Sequence, residues 1–129
     1  MVNVRRAVWS AGMLLVSAAA AFAQPQISVN GTPPPGSVSA QAGTTATIAI
    51  AGGPGNTTDW IGLYHPGDAN SAFINWLYDD SCTKTAGGSS LSSGSCSFTM
   101  PSTAGTYELR LFTHDGFSVL AISLPITVT

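Results

Sequence analysis

The stretch Gly105-Thr106-Tyr107-Glu108-Leu109-Arg110-Leu111-Phe112-Thr113, followed by His114-Asp115-Gly116, decides the fold. Polar and apolar residues alternate from Thr106 to Thr113. A period of two puts Tyr107, Leu109 and Leu111 on one face of a strand, and Glu108, Arg110, Phe112 and His114 on the other. His114-Asp115-Gly116 predicts a hairpin turn in which Gly116 takes positive φ, and Val119 to Val128 returns as the last strand. Pro125 removes a ladder donor from that run, so the returning strand lies at an edge or bulges there.

Outward from this hairpin the same signals repeat. Thr44 to Ala51 alternates around Ile48 and Ile50, and Gly52-Gly53-Pro54-Gly55-Asn56 is a loop by its turn residues. Asp59 to Tyr64 reads as a nearly continuous apolar strand, Pro66-Gly67-Asp68 as a turn, and Phe73 to Tyr78 as an aromatic and β-branched strand. Ser95 to Met100 supplies another strand, before a turn at Pro101 to Gly105. Residues 44–129 thus predict an all-β domain that, with one candidate strand before it at Gln26 to Val29, has about seven strands and turn signals every 8 to 12 residues or so, the pattern of a two-sheet antiparallel β-sandwich. Residues 24–43, rich in Pro, Gly, Ser and Gln, read as a flexible N-terminal segment with one candidate strand at Gln26 to Val29.

The N-terminus carries a different signal. Arg5 and Arg6, an apolar run from Met13 to Phe22 and the small-x-small triplet Ala21-Phe22-Ala23 predict a secretory signal peptide over residues 1–23. The mature chain would start at Gln24 and keep only Lys84 and Arg110 against five Asp and one Glu, a net charge of −4. Such a chain cannot neutralise phosphates, which argues against nucleic acid as a partner. No second apolar run approaches the ~20 residues of a membrane helix, so no membrane insertion is expected after cleavage. The expected location is secreted, periplasmic or at the cell surface. In that compartment Cys82 and Cys96 predict a disulfide closing a loop of roughly 15 residues, worth about 3 kcal/mol in the chain-entropy model. The two cysteines and two histidines lack the short paired spacing of a zinc site, so no metal or other cofactor is assigned.

Several of these elements carry a resemblance. Asp59-Trp60-Ile61-Gly62-Leu63-Tyr64, Pro66-Gly67-Asp68, Gly105-Thr106-Tyr107-Glu108-Leu109-Arg110-Leu111-Phe112 and Asp115-Gly116 together resemble the Ig-like or fibronectin-like accessory modules of bacterial secreted and surface proteins. The Asp-Trp-Ile-Gly element is also similar to the N-terminal domain of purple acid phosphatases and to SKICH domains. The resemblance implies an Ig-like sandwich, with Tyr107 at the corner before the sixth strand and Leu109 in place of the second core cysteine. It implies no phosphatase activity, because the residues of a dinuclear metal site are absent from the chain.

Nucleophilic catalysis finds little support. No Gly-x-Ser-x-Gly element occurs, and the two histidines, His65 and His114, fall at the ends of neighbouring antiparallel strands and so at opposite poles. Adjacent Asp79 and Asp80 would face opposite ways in a strand; in a turn they are solvated loop acids or, with backbone carbonyls, calcium ligands. Gly67-Asp68-Ala69-Asn70 holds a fragment of a calcium-loop spacing without its later acid. At one pole the loop before Trp60 and the turn after Phe112 bring Asn56 and Asp59 towards His114 and Asp115. There they could ligate or hydrogen-bond a sugar, or Asp59 could simply accept backbone N–H groups and tie the loop down.

The other candidate group is aromatic. If Ile61 and Leu63 face the core, Trp60 and Tyr64 stand outward beside Arg110 and Phe112, with Gly62 leaving a shallow gap, while Trp76 and Tyr78 alternate together on the next strand. Such a strip suits sugar faces. In the opposite reading Trp60 turns inward as a core residue and Arg110 stacks on Tyr64. The sequence thus predicts a secreted, non-catalytic binding or adhesion module with a carbohydrate or protein partner. A self-assembling structural subunit and a small metal-dependent hydrolase are the alternatives.

Overall fold

The computed structural model describes residues 24–129, so the signal peptide expected over residues 1–23 lies outside the described residues. In chain order the strands are β1 (Gln26–Val29), β2 (Val38–Ala40), β3 (Thr45–Ala51), β4 (Trp60–Tyr64), β5 (Asn75–Tyr78), β6 (Gly94–Thr99), β7 (Gly105–Phe112), β8 (Val119–Ile122) and β9 (Ile126–Val128). One sheet has the order β1-β3-β6; the other has the order β2-β9-β7-β4-β5, with β8 also paired to β7. All pairings are antiparallel except that of β2 with β9.

The two sheets form a β-sandwich because each presents an alternating apolar face to the other. Ile27 and Val29 of β1, Ile48 and Ile50 of β3 and Phe98 of β6 meet Ile61 and Leu63 of β4, Leu109 and Leu111 of β7 and Ile126 of β9 in one buried core. At the entry to β7, the Tyr107 hydroxyl donates to the Thr103 carbonyl at 2.8 Å. This bond back to a carbonyl four residues upstream fixes the turn that begins the strand.

The strand count is nine where the sequence predicts about seven, for two reasons. Residues 24–43 are part of the sandwich: the candidate strand at Gln26–Val29 is β1 of one sheet, and β2, which the sequence reading lacks, joins the other. Val38 N–H donates to the Pro125 carbonyl and Thr129 N–H to the Ala40 carbonyl, so this segment is hydrogen-bonded to the last strand. A three-residue strand between Pro/Gly turns has too few positions to display a period. The predicted final strand is also divided, as Pro125 foretells. Ser123 N–H donates to the Leu109 carbonyl at 2.8 Å, while Leu109 N–H donates to Ser123 Oγ at 2.9 Å. A side-chain hydroxyl thereby replaces a backbone acceptor, and the register slips before β9 begins.

Cys82 and Cys96 are disulfide-bonded, with Cα atoms 5.3 Å apart. Cys82 follows β5 of the larger sheet and Cys96 lies in β6 of the smaller one, so the bond closes the Gly/Ser-rich connection and ties the two sheets together. Replacing both cysteines, Cys82→Ala with Cys96→Ala, is expected to lower unfolding free energy by about 3 kcal/mol without changing the fold. Urea unfolding followed by tryptophan fluorescence checks this; an unchanged midpoint would show that the crossing is held by packing alone.

Candidate functional site

Strand β4 is buried at all five positions, unlike β3, whose burial alternates. Its second face must therefore be covered by something other than the opposing sheet. Pairing places Trp60 between Tyr78 of β5 and Phe112 of β7, and Gly62 between Trp76 and Arg110. Trp60 thus faces outward, away from the main core, yet it is only 5% exposed and packs with fully buried Tyr64 and Phe112 in a second apolar layer. Trp60 stacks on Phe112 with centroids 4.3 Å apart. No shallow gap exists at Gly62: a Cβ there would lie 2.7 Å from the Tyr64 ring and 2.9 Å from the Trp60 ring. Of the open aromatic strip expected from the sequence, Trp60, Tyr64, Arg110 and Phe112 are buried and Trp76 and Tyr78 half-buried, while Arg110 stacks over Tyr64 as in the opposite reading although Trp60 does not turn into the main core.

The cover is the connection between β4 and β5. Arg110, itself buried, reaches over the Tyr64 ring at 4.1 Å from its centroid. Its guanidinium donates to the Asp68 carbonyl and to Asn70 Oδ1, both at 2.8 Å, and pairs with Glu108 at 3.5 Å. Tyr64 donates its hydroxyl to the Asn70 carbonyl at 2.6 Å. Burial pushes the Tyr64 phenol up to about 12, with the nearby Arg110 charge opposing, so it stays a donor at physiological pH. Arg110 and Tyr64 are thus clamps that hold residues 68–70 down. Of the side chains that suggested a calcium fragment, Asn70 has its Oδ1 engaged by Arg110, which holds Asp68 by its main-chain carbonyl.

At the opposite pole the structure gathers Asn56, Asp59, His114 and Asp115, and it shows what Asp59 does. Buried Asp59 accepts Asn56 N–H at 3.1 Å and His114 N–H at 3.2 Å, while Asn56 Nδ2 donates to Thr113 Oγ1 at 2.9 Å. Asp115 N–H donates to the Thr58 carbonyl, and Gly116 N–H closes the turn onto the Thr113 carbonyl, both at 3.0 Å. Positive φ falls on His114 (50°) and Asp115 (53°), not on Gly116. Two consecutive left-handed residues make the tight turn whose twist matches a hairpin, and Asp tolerates that region better than most side chains.

A cleft of about 240 Å³ opens between these two constructions, lined by Trp60, Phe73, Trp76, Tyr78, Asp115 and Phe117. Phe73 and Phe117 flank it at 40% and 50% exposure. The Tyr78 hydroxyl donates to Asp115 Oδ1 at 2.6 Å, and this hydrogen bond raises the Tyr78 pKa above its ordinary value. Trp60 donates Nε1–H to the Gly116 carbonyl at 3.0 Å, which joins the cleft floor to the turn. Sequence reasoning singled out Trp60, Trp76, Tyr78 and Asp115 but placed them in two separate groups, and missed Phe73 and Phe117. The one available signal for those two was a large aromatic beside a turn.

The remaining titratable groups lie elsewhere. His65 tilts against Tyr107, with centroids 4.7 Å apart, at the start of β7, whereas His114 follows its end. Asp80 accepts the N–H groups of Gly87 (3.2 Å) and Ser89 (2.9 Å). Burial pulls its pKa upward, but these donors outweigh it and hold Asp80 below its usual value. Asp79 is not the solvated loop acid of the sequence reading; it is 5% exposed, because the turn after β5 folds in beside the disulfide, and its Oδ1 finds no partner. Among the described residues, no group of three or more His, Cys, Asp or Glu side chains is placed to hold a metal ion. No protein-family model matches the chain, and no curated protein matches it.

Burial, followed by the Asp59 and Asp80 charges, pushes Asp79 up to about 7. A folded pKa above the unfolded value means the neutral form is favoured by folding, so that stability is present below about pH 4 and declines as pH rises towards 7, by at most about 1.4 kcal/mol per pH unit. Asp79→Asn should flatten this decline and leave the variant more stable than the parent at neutral pH, with little difference at pH 4. Urea midpoints across pH 4 to 8 measure it; parallel curves for the two proteins would refute the assignment.

Proposed function

We propose that the protein, once exported, is a non-catalytic binding or adhesion module, and that a carbohydrate or protein partner presents a group to the aromatic cleft. One observation carries this reading: five aromatic side chains converge with one carboxylate on an open cleft in a chain of low charge. Phe117 packs edge-on against Trp60 and Phe112 yet stays half exposed, and large exposed rings around a concavity mark interaction sites.

A second reading is favoured by a different feature. Among the described residues β8 pairs with β7 alone, and Val119 and Ile122 on β8 are 41% and 49% exposed. An unpaired apolar edge of this kind offers itself to another chain, as a self-assembling subunit would require.

Thermal melts of the exported protein with soluble glycans, and with candidate partner proteins, separate the two. A cleft ligand present at about a hundredfold excess over its dissociation constant stabilises by about 2.7 kcal/mol, and Trp76→Ala should abolish that shift. Shifts that survive Trp76→Ala would move the site away from the cleft. Concentration-dependent sedimentation abolished by Ile122→Lys would instead favour the assembling subunit.

A further inference from the structure

We infer that the group bound by the cleft is a methylated ammonium, the cationic head of a choline-like molecule. The inference rests on the proposal that this cleft is the ligand site, and it adds the chemistry.

Ring orientation is the first argument. Trp60 stands nearly perpendicular to Phe73 (79°), to Trp76 (78°) and to Phe117 (80°), and Trp76 is perpendicular to Tyr78 (87°). A sugar ring stacks on one flat platform, whereas walls set at right angles enclose a compact, nearly spherical group. Size agrees, since about 240 Å³ falls below the roughly 300–1,000 Å³ of sites for drug-sized ligands.

Charge and hydration narrow the class. Asp115 is the one charged residue lining the cleft, and residues 24–129 carry six acids against Lys84 and Arg110. A cation is therefore attracted and an anion repelled. A bare ammonium would bring N–H groups needing acceptors, while the lining offers little beyond Asp115 and the Tyr78 hydroxyl; a methylated ammonium has few or no N–H groups and is weakly hydrated. Aromatic faces with an adjacent carboxylate stabilise such a cation through the ring quadrupoles and direct charge. The chain already makes this contact once: Lys84 Nζ stands 5.7 Å from the Trp76 centroid without lining the cleft. Asp115 also sets a preference for choline over its carboxylate analogue betaine, whose negative end it would repel.

The exported protein can be titrated with choline, with tetramethylammonium and with 3,3-dimethyl-1-butanol, the neutral carbon isostere of choline, using tryptophan fluorescence. Both cations should bind, and the isostere should bind at least roughly tenfold more weakly, a difference of about 1.4 kcal/mol. Trp76→Ala and Asp115→Asn should each weaken choline by a similar factor. Asp115→Asn lies on the surface in a conformation Asn tolerates, so it remains informative if Trp76→Ala fails to fold. Sedimentation with phosphatidylcholine but not phosphatidylglycerol vesicles would support the inference and make the source a lipid headgroup; choline binding without sedimentation would support it with a free cation. Equal binding of the isostere, indifference to Asp115→Asn, or no response to saturating choline would overturn it. If a glycan then still bound in a Trp76-dependent way, the cleft would stand as the ligand site and only the cation would be lost.

Discussion

A sheet that is apolar on both faces has to be covered twice, and the rest of this molecule depends on how the second cover is made. Trp60, Tyr64 and Phe112 turn away from the main core and would expose three large rings if the larger sheet had only the β1-β3-β6 sheet to pack against. Burying each is worth roughly 2–3 kcal/mol, a large sum beside the marginal stability of a small domain. The β4–β5 connection supplies the cover, though residues 65–74 contain few apolar groups that could hold it in place. Polar clamps do so: Arg110 lies flat on Tyr64 and grips Asp68 and Asn70, while Tyr64 grips Asn70 from below. A buried guanidinium is costly unless its donors are engaged, and here its two terminal nitrogens engage a neighbouring carboxylate, a side-chain amide and a main-chain carbonyl, leaving Nε–H, among the described residues, as the one buried donor without a partner.

The cover is incomplete on one side, and that incompleteness is the cleft. Over Tyr64 the connection and Arg110 close the layer, but over the Trp60–Tyr78 row only the single rings of Phe73 and Phe117 approach from either side. Gly62 matters to the same geometry. With no Cβ, it lets the Trp60 and Tyr64 rings close over its position, so the layer is dense at β4 and opens only at its border with β5.

The alternation of β7 and β3 was enough to read the sandwich, and the Tyr107 corner and the Cys82–Cys96 bond were legible from residue type and spacing. The direction of Trp60 was not, because a continuous apolar run such as Asp59 to Tyr64 carries no period and cannot say which face a residue takes. Its cover was equally silent: Asp68 and Asn70 look like turn or metal residues until Arg110, some forty positions away, is seen to hold them. Phe73 and Phe117 belong to the cleft only through tertiary placement. Asp79 was misread for a related reason, since adjacency to Asp80 says nothing about the turn beside the disulfide that buries one carboxyl and leaves the other among N–H donors.

Asp59 connects these parts. Its buried carboxylate holds the Asn56 and His114 amides at once, so the loop before β4 and the turn after β7 are fixed relative to each other. That turn carries two consecutive non-glycine residues in the left-handed region, a conformation costing on the order of 1 kcal/mol or more at each position and maintained only where the surroundings over-determine it. Here they do, through Asp59, the Thr58 and Thr113 carbonyls, and the Trp60 indole bonded to Gly116. The strained turn sets Asp115 against the Tyr78 hydroxyl and Phe117 against the edge of Trp60. Backbone strain thus sits where the cleft acquires its only charge and one of its walls, so Asp59, which holds the turn without lining the cleft, sets the cleft's shape through that turn.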